Sequence, residues 1–153
     1  MSQTLAVFKS TFIVDSTELE IVFNGELGYG DTNYRGDGAG EMGDYLPFVD
    51  LGTSCTVVTD MTPGSYHTCV ICSDGSVKCW GYNGYGQLGV GDTNTRGDGV
   101  GEMGDYLHTA DVAGTSGLTV VGFFSGYTHN CAMFDDNSIK CWGQNTYGQL
   151  GYG

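Results

Sequence analysis

Four cysteines and two histidines stand at matched places in this chain, and their types suit covalent or proton chemistry. Cys69 recurs as Cys131, Cys79 as Cys141, His67 as His129 and Trp80 as Trp142, each 62 positions on. Between the cysteines the sequence reads as a β-hairpin. Residues 67–72 and 77–80 are rich in β-formers and flank Ser73-Asp74-Gly75. A three-residue loop of this kind needs a left-handed residue in its last place. Gly75 fills it in one copy and Asn137 in the other, and both types tolerate that conformation. The register sets Cys69 directly opposite Cys79 and Cys131 opposite Cys141. Opposed positions of the closer antiparallel kind sit near disulfide distance. Two readings stand open: two disulfides, or two reduced and buried thiol pairs. The twice-kept spacing favours the first. The amino terminus MSQTLAVFKSTF carries no visible secretory signal, which favours the second.

The other chemical candidates read as structural. Cys69 and Cys72 have metal or redox spacing, but on a strand they point to opposite faces, and Cys72 becomes Phe134 in the second copy. Cys55 has no counterpart and reads as a free core thiol. His67 and His129 lack a serine or carboxylate at triad spacing. They read as buried histidines hydrogen-bonded to neighbouring backbone. No catalytic residue, metal or cofactor is assigned.

A second stretch also returns. GYGDTNYRGDGAGEMGDYL at residues 28–46 reappears as GVGDTNTRGDGVGEMGDYL at residues 89–107, 61 positions on. It places Asp31, Arg35, Asp37, Glu41 and Asp44 in one loop. Asp92, Arg96, Asp98, Glu102 and Asp105 take the same places in the other. We read both as interaction loops. Calcium favours several carboxylates on a flexible loop, but Arg96 sits among these and opposes a cation. The expectation is a solvated loop held by arginine–carboxylate pairs and glycine turns. Arg96-Gly97-Asp98 is an integrin-type tripeptide, too short to carry a role.

A fixed period means a repeat architecture. The pattern G-x-x-H-x-C-x-x-x-x-D-G-S-V-K-C-W-G-x-N-x-x-G-Q-L-G-x-G-D, with Gly-(Gln or Glu)-Leu-Gly at Gly25, Gly86 and Gly148, resembles the regulator of chromosome condensation repeat. The resemblance covers residues 25–153. It implies a β-propeller, although the glycine-acid insertion makes the unit longer than the family's usual one of about 50 residues. The expected fold is all-β: a β-propeller sector of four-stranded antiparallel blades with long glycine- and acid-rich loops, forming an incomplete ring. Residues 1–24 read as a degenerate partial repeat, 25–85 as repeat one, 86–147 as repeat two and 148–153 as the start of a third. Residues 55–58 and 118–124 are the strands expected ahead of the two hairpins.

The resemblance also implies a function: a protein-interaction module, with nucleotide exchange on a small GTPase as the alternative. An extracellular structural or adhesive role is the third reading, which the cysteine pairs would suit. Charge narrows the partners. The 153 residues hold 18 acidic against 5 basic side chains, a formal net charge of −13. Lys9, Arg35, Lys78, Arg96 and Lys140 are scattered, so direct nucleic-acid contact is not expected. An anionic membrane is disfavoured and a basic protein favoured. No apolar run is long enough to span a bilayer, and a cytoplasmic location is favoured over an extracellular one. Both hairpin faces carry apolar residues, Cys69, Ile71 and Val77 on one and Val70 and Trp80 on the other. A small sector leaves outer faces uncovered, so self-association is expected. Tyr82, Tyr85, Tyr127 and Tyr147 lie near turns and either line a binding face or pack locally.

Overall fold

The computed structural model of the chain describes residues 24–153. The degenerate repeat expected in residues 1–24 therefore lies, but for Asn24, outside the described residues. Two antiparallel sheets account for the described strands. In the first, β1 (Val58–Pro63), β2 (His67–Cys72), β3 (Val77–Gly81) and β4 (Thr109–Ala110) lie in that order. In the second, β5 (Val120–Ser125), β6 (His129–Phe134) and β7 (Ile139–Gly143) do the same. The fold is an all-β propeller sector whose sheets do not close into a ring. The first blade has the four strands expected, and the second has three among the described residues. β4 is supplied by the stretch that follows the second glycine-acid loop, so the first blade is completed by the unit after it.

The hairpin register follows the sequence. Cys69 faces Cys79, Ile71 faces Val77, Cys131 faces Cys141 and Met133 faces Ile139. Each loop has three residues. The Cys72 N–H donates to the Ser76 carbonyl at 2.8 Å, and the Gly75 N–H to the Cys72 carbonyl at 2.9 Å. Gly75 has φ 81° and Asn137 φ 67°, the left-handed region that excludes most side chains. Asp74 tightens its loop by accepting from the Ser76 N–H at 2.9 Å, and Asp136 repeats the bond with Ser138 at 2.8 Å. The strands ahead of the hairpins lie later than expected, at 58–63 and 120–125 rather than 55–58 and 118–124. A bulge between Val58 and Asp60, and another between Val120 and Gly122, slides each of these strands along its partner. Pro63 is tolerated in β1 because that strand is an edge.

The blades pack face to face. Cys69, Ile71, Val77 and Cys79 of the first meet Val120, Phe123, Ala132 and Phe134 of the second, with Leu88 and Ala110 between them. A separate cluster covers the other face of the first blade: Val70, Cys72 and Trp80 against Cys55 and Leu107. Burying each large apolar side chain contributes about 1.5–3 kcal/mol, so these two layers hold the first blade from both sides.

Candidate functional site

The glycine-acid loops form the most distinctive surface, and their own side chains shape them. In the second loop Arg96 grips Asp92 with both terminal nitrogens, at 2.9 and 2.7 Å, and also donates to the Asn94 carbonyl at 2.8 Å. The guanidinium holds the Asp92 carboxyl down to about 2. Arg35 makes the matching contact with Asp31 in the first loop at 2.7 Å. Hydrogen bonding from the Asn33 N–H, followed by that from Arg35, lowers the Asp31 carboxyl. Glu102 accepts the N–H groups of Gly97 and Gly99, both at 2.9 Å. Glu41 accepts those of Gly36, Asp37 and Gly38. Asp105 reaches across instead and accepts from the Thr53 hydroxyl at 2.9 Å. The Gly104 N–H donates to the Asp50 carbonyl at 3.0 Å, tying the second loop to the segment ahead of β1. The loops themselves meet where a Cβ at Gly30 would stand 3.0 Å from the Gly99 carbonyl oxygen, so they form one ridge.

Asp37, Asp44, Asp98 and Asp105 are exposed along this ridge, together with Tyr34, Tyr45, Phe48 and Tyr106. Burial, reinforced by neighbouring Glu102, raises the Asp98 carboxyl. Asp31, Glu41, Asp92 and Glu102, half of the loop carboxylates, are turned to their own loop's donors. Among the described residues no group of three or more His, Cys, Asp and Glu side chains is placed to hold a metal ion. The Arg96-Gly97-Asp98 tripeptide is likewise committed: Arg96 to Asp92, and the Gly97 N–H to Glu102.

Both tryptophans anchor the Gly-(Gln or Glu)-Leu-Gly word ahead of them. Trp80 Nε1 donates to the Glu26 carbonyl at 2.8 Å, and Trp142 Nε1 to the Gln87 carbonyl at 3.0 Å. A glycine lies against each indole. A Cβ at Gly28 would stand 2.8 Å from Trp80 Nε1, and one at Gly89 2.9 Å from Trp142 Nε1. Lys78, placed among apolar neighbours by the sequence pattern, is buried. Its ammonium donates to the Leu51 carbonyl at 2.7 Å and the Gly104 carbonyl at 3.5 Å, pinning the segment ahead of β1 to the root of the second loop. This role was hidden in the sequence because no spacing rule joins a strand lysine to carbonyls 26 and 27 residues away.

The cysteines are joined as Cys69–Cys79 and Cys131–Cys141, each with Cα atoms 4.1 Å apart. Cys55 is not a free thiol: it is bonded to Cys72, 17 residues on. The ladder that pairs Val58 with Cys72 brings the segment before β1 beside the end of β2. His67 is buried, but its partner is a side chain of the next blade rather than neighbouring backbone. Asn130 donates its amide to the Gln87 carbonyl at 2.7 Å, which turns its oxygen to His67 Nε2 at 2.9 Å. His67 therefore carries its proton on Nε2, and burial pushes its pKa below 6.5. Tyr66 and Tyr127 meet across the same junction with hydroxyls 2.6 Å apart. No helix among the described residues is long and apolar enough to cross a membrane.

The sequence model of the regulator of chromosome condensation (RCC1) repeat matches residues 58–87 and 120–149. These stretches run from β1 and β5 to the Gly-Gln-Leu-Gly words. The chain is 30% identical to the ultraviolet-B receptor UVR8 of Arabidopsis thaliana, over 88% of this chain and 29% of that protein. It is 26% identical to the probable E3 ubiquitin-protein ligase HERC6 of Homo sapiens, over 90% of this chain and 12% of the relative. Prp20p from Saccharomyces cerevisiae superposes with a TM-score of 0.52 at 19% identity, covering 78% of this chain and 26% of that one. Human WBSCR16 gives a TM-score of 0.51 at 19% identity, covering 70% and 26%. The chain thus spans less than a third of each of these proteins, and the superpositions speak for the fold.

Proposed function

The chain carries regulator of chromosome condensation repeats, and on that premise we propose that it is a protein-interaction module. The carrying observation is the ridge of two glycine-acid loops. It is fixed by internal ion pairs and carboxylate caps, and it still presents Asp37, Asp44, Asp98 and Asp105 beside exposed aromatic rings. A rigid acidic surface with aromatic side chains suits a basic protein partner, which aromatic anchors hold and opposite charge steers. Self-association through uncovered blade faces belongs to the same reading. No catalytic step is assigned to the chain.

Titration against core histones as the basic probe, over a salt series, tests the reading. Binding should weaken as salt rises and drop at least tenfold in a variant carrying Asp37→Asn, Asp44→Asn and Asp98→Asn. Binding that ignores both changes would remove the ridge from the interaction. The alternative, regulation of a small GTPase, comes from the family resemblance. GDP release accelerated from one member of a GTPase panel would favour it. The three disulfides favour a further reading, an extracellular structural or adhesive role, because disulfides persist in oxidising compartments.

A further inference from the structure

We propose that the chain assembles head to tail with a second copy of itself, the outer face of its second sheet seating in the groove on the first sheet of the next copy. The proposal rests on the interaction-module reading only for the uncovered blade faces, not for the ridge or its partner. The chain already makes this contact once. Inside it, Cys69, Ile71, Val77 and Cys79 are buried by the second blade. Their equivalents on the outer face of the second blade are Cys131, Met133, Ile139 and Cys141. There Ile139 is 63% exposed, and Phe124, opposite Cys131 on the same face, is 62% exposed. The receiving side of the internal contact is Val120, Phe123, Ala132 and Trp142. Its equivalents on the first blade are Val58, Met61, Val70 and Trp80, and all four line a groove of about 440 Å³, in which Val58 and Met61 stay part-exposed while Val70 and Trp80 are already buried against Cys55 and Leu107. One molecule therefore offers both halves of a junction whose fit its own two blades display.

The backbone matches as well. Thr109 and Ala110 form β4 by pairing with Lys78 and Val77. The equivalents of Thr109 and Ala110, 61 positions earlier, are Phe48 and Val49, which stand at the groove, with Phe48 87% exposed. The equivalents of Val77 and Lys78 are Ile139 and Lys140 on β7, the edge of the three-stranded sheet. Docking would bring Phe48 and Val49 of the second copy alongside β7 as its fourth strand, a β-augmentation. The Tyr152 hydroxyl bonds the N–H and carbonyl of Cys141, one residue beyond the pair that the added strand needs. A polar partner is also in place. His129 holds the position of His67, and Thr68 holds that of Asn130. Thr68 donates its hydroxyl proton to the Glu26 carbonyl and keeps lone pairs to accept from His129 of a second copy. The contact is heterologous, so it closes a ring if its rotation allows and otherwise runs on.

Sedimentation velocity on the full chain, from about 1 to 100 µM, tests this with two variants. Ile139→Asp spoils the outer face and Phe48→Asp the groove, each at an exposed side chain. The wild type should form oligomers. Each variant alone should associate at least tenfold more weakly, while an equimolar mixture should form a dimer that stops growing, because the intact face of one fits the intact groove of the other. Circular dichroism matching the wild type and a cooperative melt establish that the variants fold; Phe124→Asp replaces Ile139→Asp if either is lost. A wild type monomeric at the top concentration overturns the proposal. So does a folded variant that associates like the wild type, or a mixture that stays monomeric. Histone titration of the monomeric Ile139→Asp variant, whose substitution lies on β7 away from the loops, reads the ridge separately, so the two ideas fail independently.

Discussion

Val77 and Ile139 hold the same place in the same hairpin, yet Val77 is buried and Ile139 stands 63% exposed. Cys79 is wholly buried while Cys141 is only half-buried. The two blades share their turn, their register, their cross-strand disulfide and their tryptophan anchor. What separates them is the neighbour. The first blade has the second on one face and residues 49–58 with the root of the second loop on the other. Among the described residues the second blade has a neighbour on one face only. In a repeat array the local sequence therefore sets the strand and the turn, and position in the array sets how much each side chain contributes to stability.

The largest test of that comparison is the tryptophan pair. Trp80 is buried between Cys55, Val70 and Leu107, so Trp80→Ala should cost about 3–5 kcal/mol in a urea titration. Trp142 packs edge-to-face on Phe123 at 5.4 Å but is only partly buried, so Trp142→Ala should cost clearly less. Equal losses would mean that the repeat itself, not the neighbour, sets the energetics. Next come the disulfides. Cys69–Cys79 and Cys131–Cys141 each close a ten-residue separation, so the chain-entropy part is the same, about 3 kcal/mol at most. Replacing each pair by alanines should cost more in the first blade, because buried sulfur contacts are lost there as well. Non-reducing peptide mapping should recover both pairs and Cys55–Cys72.

Much of this was legible in the sequence, and the failures have causes. The hairpins, their register and the loop ending in Gly75 or Asn137 follow from short-range rules that act within about a dozen residues. The family's repeat supplied the propeller sector. The Cys55–Cys72 bond was missed because it occurs in one unit only, so no repetition pointed to it. The strand starts shifted because a bulge leaves no signature in composition. Lys78 and the His67–Asn130 bond were missed for a common reason. Each joins groups far apart in the chain, and only the packing of one blade on another, or of a loop on a blade, brings them within reach.

The turn gives a smaller test. At φ 81° Gly75 sits where L side chains are strained, and a Cβ there would approach the Thr119 methyl at 3.2 Å. Gly75→Ala should destabilise by about 1 kcal/mol. Gly75→Asn should cost less, since Asn137 already holds that conformation in the second blade. Equal effects of alanine and asparagine in a denaturant titration would mean that the two turns are not equivalent.

The smallest effect expected is a pH dependence of the blade junction. His67 is buried and its pKa lies below 6.5, chiefly through desolvation, with the hydrogen bond to Asn130 pulling the other way and His129 adding a little to the lowering. Above pH 6.5 both folded and unfolded chains hold this imidazole neutral, and its contribution is complete. As pH falls through 6.5 the unfolded chain takes up a proton that the folded junction still refuses. Stability therefore declines until the folded pKa is reached. The lowered carboxylates, Asp31, Glu41, Asp74, Asp92, Asp105 and Asp136, lose most of their contribution only as pH falls through 4.5 and 3.8, below the range of the melts. Asp98 opposes it from the acid side: its pKa is raised above 3.8, so it stabilises as pH falls through its folded value. Melts between pH 7.5 and about 5 should show the midpoint drifting down. His67→Gln should lie lower at pH 7.5 and remove the drift. A drift that survives His67→Gln would place the titrating group elsewhere and detach the junction from pH.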